Sequence, residues 1–246
     1  MKPTLTLVAS LMLSTVLMLS TVLRAADVPS TKPMIGSLPA GKVLFLGNSI
    51  TLHGPAPAIG WTGSWGMAAT AKEKDYVHLV AADISKATGA KPETMVRNIA
   101  DFERGHDTFD IAKEFKAELE FNADLIVVAI GENVPDLTTE DARQKYATAF
   151  ARLLSSLKSQ GDPVIFVRGS FWPNPTKDEI MRTASLAAGV TFIDISKLGG
   201  DEANAARSEQ KIEHAGVAGH PGDKGMRAIA DAIFAAIEKR GATAPK

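Results

Sequence analysis

The chain has 246 residues, 27 Lys plus Arg against 28 Asp plus Glu, five His and no Cys. With 45% hydrophobic and 22% charged residues and a formal net charge of −1, it reads as a globular protein able to bury a sizeable core, with no composition bias toward disorder and no basic footprint for nucleic acid. The lack of Cys excludes disulfides, thiolate metal sites and a cysteine nucleophile.

Residues 1–25 hold Lys2, then a run of Leu, Val, Met, Ser and Thr, then Arg24 and Ala25. A positive start, an apolar centre and a small-residue end are the pattern of an export signal peptide. An uncleaved membrane anchor is the alternative, because about 20 apolar residues span a bilayer. Cleavage would remove Lys2 and Arg24 and take the formal charge from −1 to −3. The expectation is an exported protein, periplasmic or secreted, with no membrane insertion after cleavage. Residues 26–40 are rich in Pro and Ser and are expected to form an N-terminal arm; 41–246 are expected to be one domain.

Lys42 to Asn48 is a short apolar run closed by Gly47, a buried strand by pattern. Asp75 to Thr88 places Val77, Val80, Ile84 and Ala87 at helical spacing, stopped by Gly89. Thr94 to Asn98 is a weaker strand. Thr108 to Phe121 carries Ile111, Phe115 and Leu119 four apart and predicts one amphipathic helix. Asp124 to Ile130 is continuously apolar after its first residue, as in a parallel sheet covered on both faces. Thr138 to Gln160 opens with Thr138 and Asp141 as a capping-box variant and carries one stripe from Ala142 to Leu157. Pro163 to Val167 and Thr191 to Ile195 are strands, with a helix over Lys177 to Ala188 between them. Asp223 to Arg240 is the last helix, with Gly241 as its stop. Five strands alternating with helices predict one doubly wound α/β domain, a three-layer α/β/α sandwich on a five-stranded parallel sheet. Ligands of such sheets bind at the carboxyl ends of the strands, so functional residues belong there.

Ser49 directly follows the first strand in Gly47-Asn48-Ser49-Ile50-Thr51, where a turn can expose its hydroxyl as a nucleophile. The same Ser could simply cap that turn. Asn133 follows the third strand in Gly131-Glu132-Asn133 and offers an amide donor, or is a turn residue. Of the five His, His220 sits in Gly219-His220-Pro221-Gly222-Asp223-Lys224-Gly225, after the fifth strand and before the last helix, where it could act as a base.

In this order, Gly-Asn-Ser-Ile-Thr, Gly-Glu-Asn and His-Pro-x-Asp-x-Gly resemble the SGNH, or GDSL-type, hydrolase family over residues 42 to about 240. The resemblance implies a flavodoxin-like fold, esterase or lipase activity and no metal or cofactor. It makes Ser49 the nucleophile, His220 the general base, and Ser49, Ala100 and Asn133 the oxyanion donors. Ala100 stands where the family usually has Gly. Val217 stands where the family usually has the Asp that orients the His. Asp223, Glu213, Glu103 and Glu132 are possible stand-ins; the favoured expectation is a Ser–His dyad with a backbone carbonyl on His220.

All three Trp fall at the expected catalytic edge: Trp61 and Trp65 in one Gly-rich loop, Trp172 after the fourth strand. They are expected to stack on sugar, or to pack the loops down. Arg168 is expected to hold a substrate carboxylate, or to pair with Glu132 or Glu103. Together these imply an exported carbohydrate esterase that removes short acyl groups, acetyl first among them. A thioesterase or lysophospholipase of the same fold, or a carbohydrate-binding protein on a degenerate scaffold, are the alternatives. The oligomeric state is open.

Overall fold

The structure is a computed structural model that describes residues 32–159 and 161–243. The signal-peptide segment and Gln160 lie outside the described residues. No helix among the described residues is long and apolar enough to cross a membrane.

Strands β1 (Met34–Ile35) and β2 (Leu38–Pro39) form a small antiparallel hairpin. The main sheet follows: β3 (Lys42–Gly47), β4 (Glu93–Asn98), β5 (Leu125–Ala129), β6 (Val164–Arg168) and β7 (Thr191–Ile193). Its order is β4-β3-β5-β6-β7 and every pairing is parallel. The order reverses at the β3–β5 pair, which makes the carboxyl end of these two strands the switch point where ligands bind in such folds.

Alternation along the strands assigns the helices to two layers. Val43 and Phe45 face one core cluster, shared with α1 (Tyr76–Thr88) and α8 (Asp223–Thr243). Leu44 and Leu46 face the other. That second layer holds α2 (Ala100–Gly105), α3 (Ile111–Glu114), α4 (Lys116–Glu120), α5 (Glu140–Lys158) and α6 (Pro175–Ala187). Both faces of the sheet are therefore dry, as the continuous apolar run at β5 requires. A short helix, α7 (Ala215–Ala218), precedes α8.

Four sequence expectations need correction. The Pro-rich arm contributes to the domain: Ile35 and Leu38 of its hairpin are buried in the α1–α8 cluster. The helix expected over 108–121 breaks at Phe115, whose ring turns into contact with Phe102 and Phe109. The cap of α5 is Thr139, not Thr138; its side chain accepts from the Ala142 N–H. Gly241 does not stop α8. It lies within the helix, where a Cβ would come 2.2 Å from the Ile35 carbonyl oxygen, so it permits close approach of the hairpin.

Gly47 closes β3 for a similar reason. A Cβ there would sit 1.8 Å from Thr51 Oγ1 and 2.8 Å from the Ala129 carbonyl oxygen. Thr51 cannot swing aside freely, because its hydroxyl is hydrogen-bonded to the buried Tyr76 hydroxyl at 2.7 Å. Gly47→Ala is expected to destabilise the protein by about 1–3 kcal/mol through overpacking. A thermal melt should show the midpoint lowered by roughly 2–12 °C; an unchanged midpoint would contradict this packing over the strand end.

Candidate active site

β3 ends in a tight turn. The Asn48 carbonyl accepts from the Thr51 and Leu52 N–H groups, and the Ser49 carbonyl from the Met67 N–H. The Asn48 side chain is fully buried: its Oδ1 accepts from the Ile50 N–H at 3.2 Å, and its Nδ2 donates to Glu132 at 2.6 Å. The turn is thus fastened from below and leaves the Ser49 side chain partly exposed above it. The Ser49 N–H has no acceptor among the described residues.

Two buried glutamates lie under this turn. Glu132 accepts from Asn48, from the Phe171 N–H at 2.8 Å and from the fully buried Arg168 at 2.9 Å. Burial alone would push its carboxyl up; the Arg168 guanidinium and these hydrogen bonds outweigh that and hold it below the ordinary range. Glu103, on α2, accepts from the Gly131 N–H at 2.7 Å, the Asn133 N–H at 3.1 Å and Asn133 Nδ2 at 2.9 Å. Burial and the nearby Glu132 charge push Glu103 up, against those donors. Asn133 is consequently clamped. Its Oδ1 accepts from Arg104 at 3.1 Å and one Nδ2 hydrogen is used by Glu103, leaving the second hydrogen for another acceptor.

His220 comes from the loop between α7 and α8. Its Nε2 lies 2.8 Å from Ser49 Oγ, across 171 positions of sequence. Its Nδ1 lies 2.7 Å from the Gly216 carbonyl oxygen. A carbonyl only accepts, so Nδ1 carries the hydrogen and Nε2 presents a lone pair to the Ser49 hydroxyl. Burial pushes the imidazole below its ordinary value, against the Gly216 hydrogen bond. None of the four carboxylates considered as stand-ins touches Nδ1. Asp223 instead accepts from Thr70 and Lys74 at the start of α8.

Ser49, Ala100, Asn133 and His220 line one cavity of about 300 Å³, together with His53, Arg104 and His214. The expected roles of several other residues need revision. The Ala100 N–H already donates to Asn98 Oδ1 at 2.9 Å, so it is not a free oxyanion donor. Arg168 is 0% exposed and paired with Glu132, far too enclosed to take a substrate carboxylate. Trp61 and Trp65 stack edge to face, with ring centroids 5.6 Å apart, and donate to the His53 and Ala69 carbonyls. They pack the loop after Ser49 rather than lining the cavity. Trp172 differs. It is 39% exposed, and its ring lies edge-on 5.1 Å from that of His220. In sequence, His53 reads only as a loop residue, His214 as part of a polar stretch, and Arg104 as part of the Phe102-Glu103-Arg104 segment with no individual role. Their place depends on how the loops fold back over Ser49, which no local motif records.

No protein-family model matches the chain, and no curated protein sequence does. Solved structures do match. One from Bacteroides uniformis, described as a GDSL-like lipase, aligns with a TM-score of 0.52 at 15% identity over 81% of this chain and 96% of that one. The chain has the SGNH hydrolase fold. Two further structures of this kind are similar. One is a two-domain esterase active on acetylated mannans (TM-score 0.51, 15% identity, 84% of this chain and 52% of that one). The other is a family two carbohydrate esterase from Cellvibrio japonicus (TM-score 0.50, 17% identity, 83% of this chain and 62% of that one). The chain therefore spans only part of those esterases.

Within this SGNH fold the Glu132–Arg168 pair holds both the Asn48 turn and the segment after β6. Removing one partner of a buried pair strands the other charge, at a cost of about 3–5 kcal/mol. Glu132→Ala is expected to lose that much in urea unfolding. A loss under about 1 kcal/mol, the size expected of an exposed pair, would contradict the burial described.

Proposed function

We propose that the protein is a serine esterase that removes short acyl groups, acetyl above all, from a carbohydrate. The observation that carries this is the Ser49 Oγ–His220 Nε2 distance of 2.8 Å, with Nδ1 held by the Gly216 carbonyl. The lone pair on Nε2 takes the hydroxyl proton as Ser49 Oγ attacks the ester carbonyl. The Ser49 N–H and the second hydrogen of Asn133 Nδ2 are the donors available to the oxyanion. Collapse of the tetrahedral intermediate breaks the ester C–O bond, and His220 returns the proton to the leaving sugar oxygen, which departs as a hydroxyl. Water, deprotonated by the same imidazole, then releases the acid.

A short acyl group suits the cavity volume of about 300 Å³, the small end of ligand pockets. A larger groove of about 740 Å³ adjoins it, sharing Ile59 and His214, and has room for a sugar chain. Trp172, exposed beside His220, offers a ring for a sugar to stack on. The similar esterase structures include one active on acetylated mannans and one holding cellohexaose, which supports a carbohydrate substrate. The export signal read in residues 1–25 suits a polysaccharide substrate outside the cytoplasm. A second reading, a carbohydrate-binding protein on a degenerate hydrolase scaffold, draws support from the engaged Ala100 N–H.

Ser49→Ala is expected to lower hydrolysis of p-nitrophenyl acetate by at least about 10³-fold with an unchanged circular dichroism spectrum. Retained activity would sink the assignment. The base works only when neutral, and burial holds His220 below 6.5. The kcat/KM profile for the same ester should therefore fall with decreasing pH and reach half its plateau only below 6.5. A half-loss above 6.5 would contradict this environment for the base.

A further inference from the structure

The charge lining the cavity is one-sided. Arg104 lines it, and no Asp or Glu does. Arg104 stands on α2, is exposed, and makes no ion pair among the described residues. Its one recorded hydrogen bond is to Asn133 Oδ1, which leaves most of the five guanidinium N–H donors free. His214 adds another donor. Its Nδ1 accepts from the Val217 N–H at 3.3 Å, so the hydrogen of the neutral ring is on Nε2. The chain as a whole carries a formal charge of −1, so this is a local feature and not a reflection of a basic protein.

An unpaired guanidinium in a concave site attracts anions, and its planar fork matches a carboxylate or sulfate. The neutral carbonyl of Asn133 does not neutralise it. Neither buried glutamate below forms an ion pair with it: Glu132 pairs with Arg168, and Glu103 accepts from the Asn133 and Gly131 donors. We propose that the cavity selects an anionic carbohydrate, with Arg104 binding a carboxylate or sulfate on the sugar that bears the ester. This rests on the esterase reading for the ester itself, while the anion preference is a property of the cavity and can be measured without turnover.

The test compares three small substrates, each acetylated on the ring: a methyl glucuronide, a sulfated methyl glucoside and the neutral methyl glucoside. Acetate release gives kcat/KM for wild type, Arg104→Gln and Arg104→Lys. A charge-assisted hydrogen bond corresponds to about tenfold or more in this ratio. Wild type is expected to favour an anionic substrate over the neutral one by that factor at low salt, and less as salt rises. Arg104→Gln should bring the ratio close to one, and Arg104→Lys should restore part of it. The glucuronide and sulfate arms tell which anion is preferred.

Equal rates on all three substrates in wild type would overturn the proposal. So would Arg104→Gln lowering all three in proportion, which is the signature of a residue that only positions Asn133. A parallel measurement needs no catalysis: calorimetric binding of the unacetylated sugars to Ser49→Ala, with and without Arg104→Gln. A preference for an anionic sugar that Arg104→Gln removes supports the proposal even if no ester is cleaved, an outcome that would sink only the esterase reading. No binding preference together with equal acetate release would sink only the anion preference.

Discussion

A carbonyl oxygen can only accept a hydrogen bond, and the chemistry available to this site follows from that. The Gly216 carbonyl fixes the His220 hydrogen on Nδ1 and so turns an Nε2 lone pair toward the Ser49 hydroxyl. Val217, one residue on, is buried in the apolar cluster that includes Trp61 and Met67. The backbone orients the imidazole instead, through the Gly216 carbonyl and not through a carboxylate.

The remaining parts are held by two carboxylates that never reach the cavity. Glu132 sits between Arg168 and Asn48, so it ties β6 to the turn carrying Ser49. Glu103 gathers the Gly131 and Asn133 N–H groups together with the Asn133 amide. The carboxyl ends of β3, β5 and β6 are thereby fixed relative to one another by buried, charge-assisted hydrogen bonds, which are shorter and stronger than neutral ones. Neighbouring carboxylates with opposed shifts follow from one arrangement: Glu132 has the guanidinium, and Glu103 has the Glu132 charge. Asn133 gains a fixed amide from this, with Arg104 on its oxygen.

The sheet was legible because its central strands are uniform. Leu125 to Ala129 could only be buried on both faces, and the stripe Met226, Ile229, Ile233 and Ile237 could only face inward. What escaped was set by contacts remote in sequence. The helix Ala100–Gly105 is too short to show a period. The break at Phe115 answers to Phe102 and Phe109, and Gly241 to a hairpin some 200 positions away (Ser37 N–H to the Gly241 carbonyl). At the site, Ser49 and His220 stood out because each follows a strand within a distinctive motif. Arg168 ends a strand, but sequence cannot say whether a strand-end Arg turns into the core or over the edge; Glu132 decides that. Arg104 was hidden for the converse reason, since only the path of α2 brings it over Asn133.

The central claim is that Ser49 is an activated nucleophile under His220. Its most direct test is labelling with a fluorophosphonate, followed by intact-mass and peptide mapping. The account predicts one adduct, on Ser49, that His220→Ala largely prevents. A folded wild-type protein that takes no label, or takes it on another residue, would contradict the account.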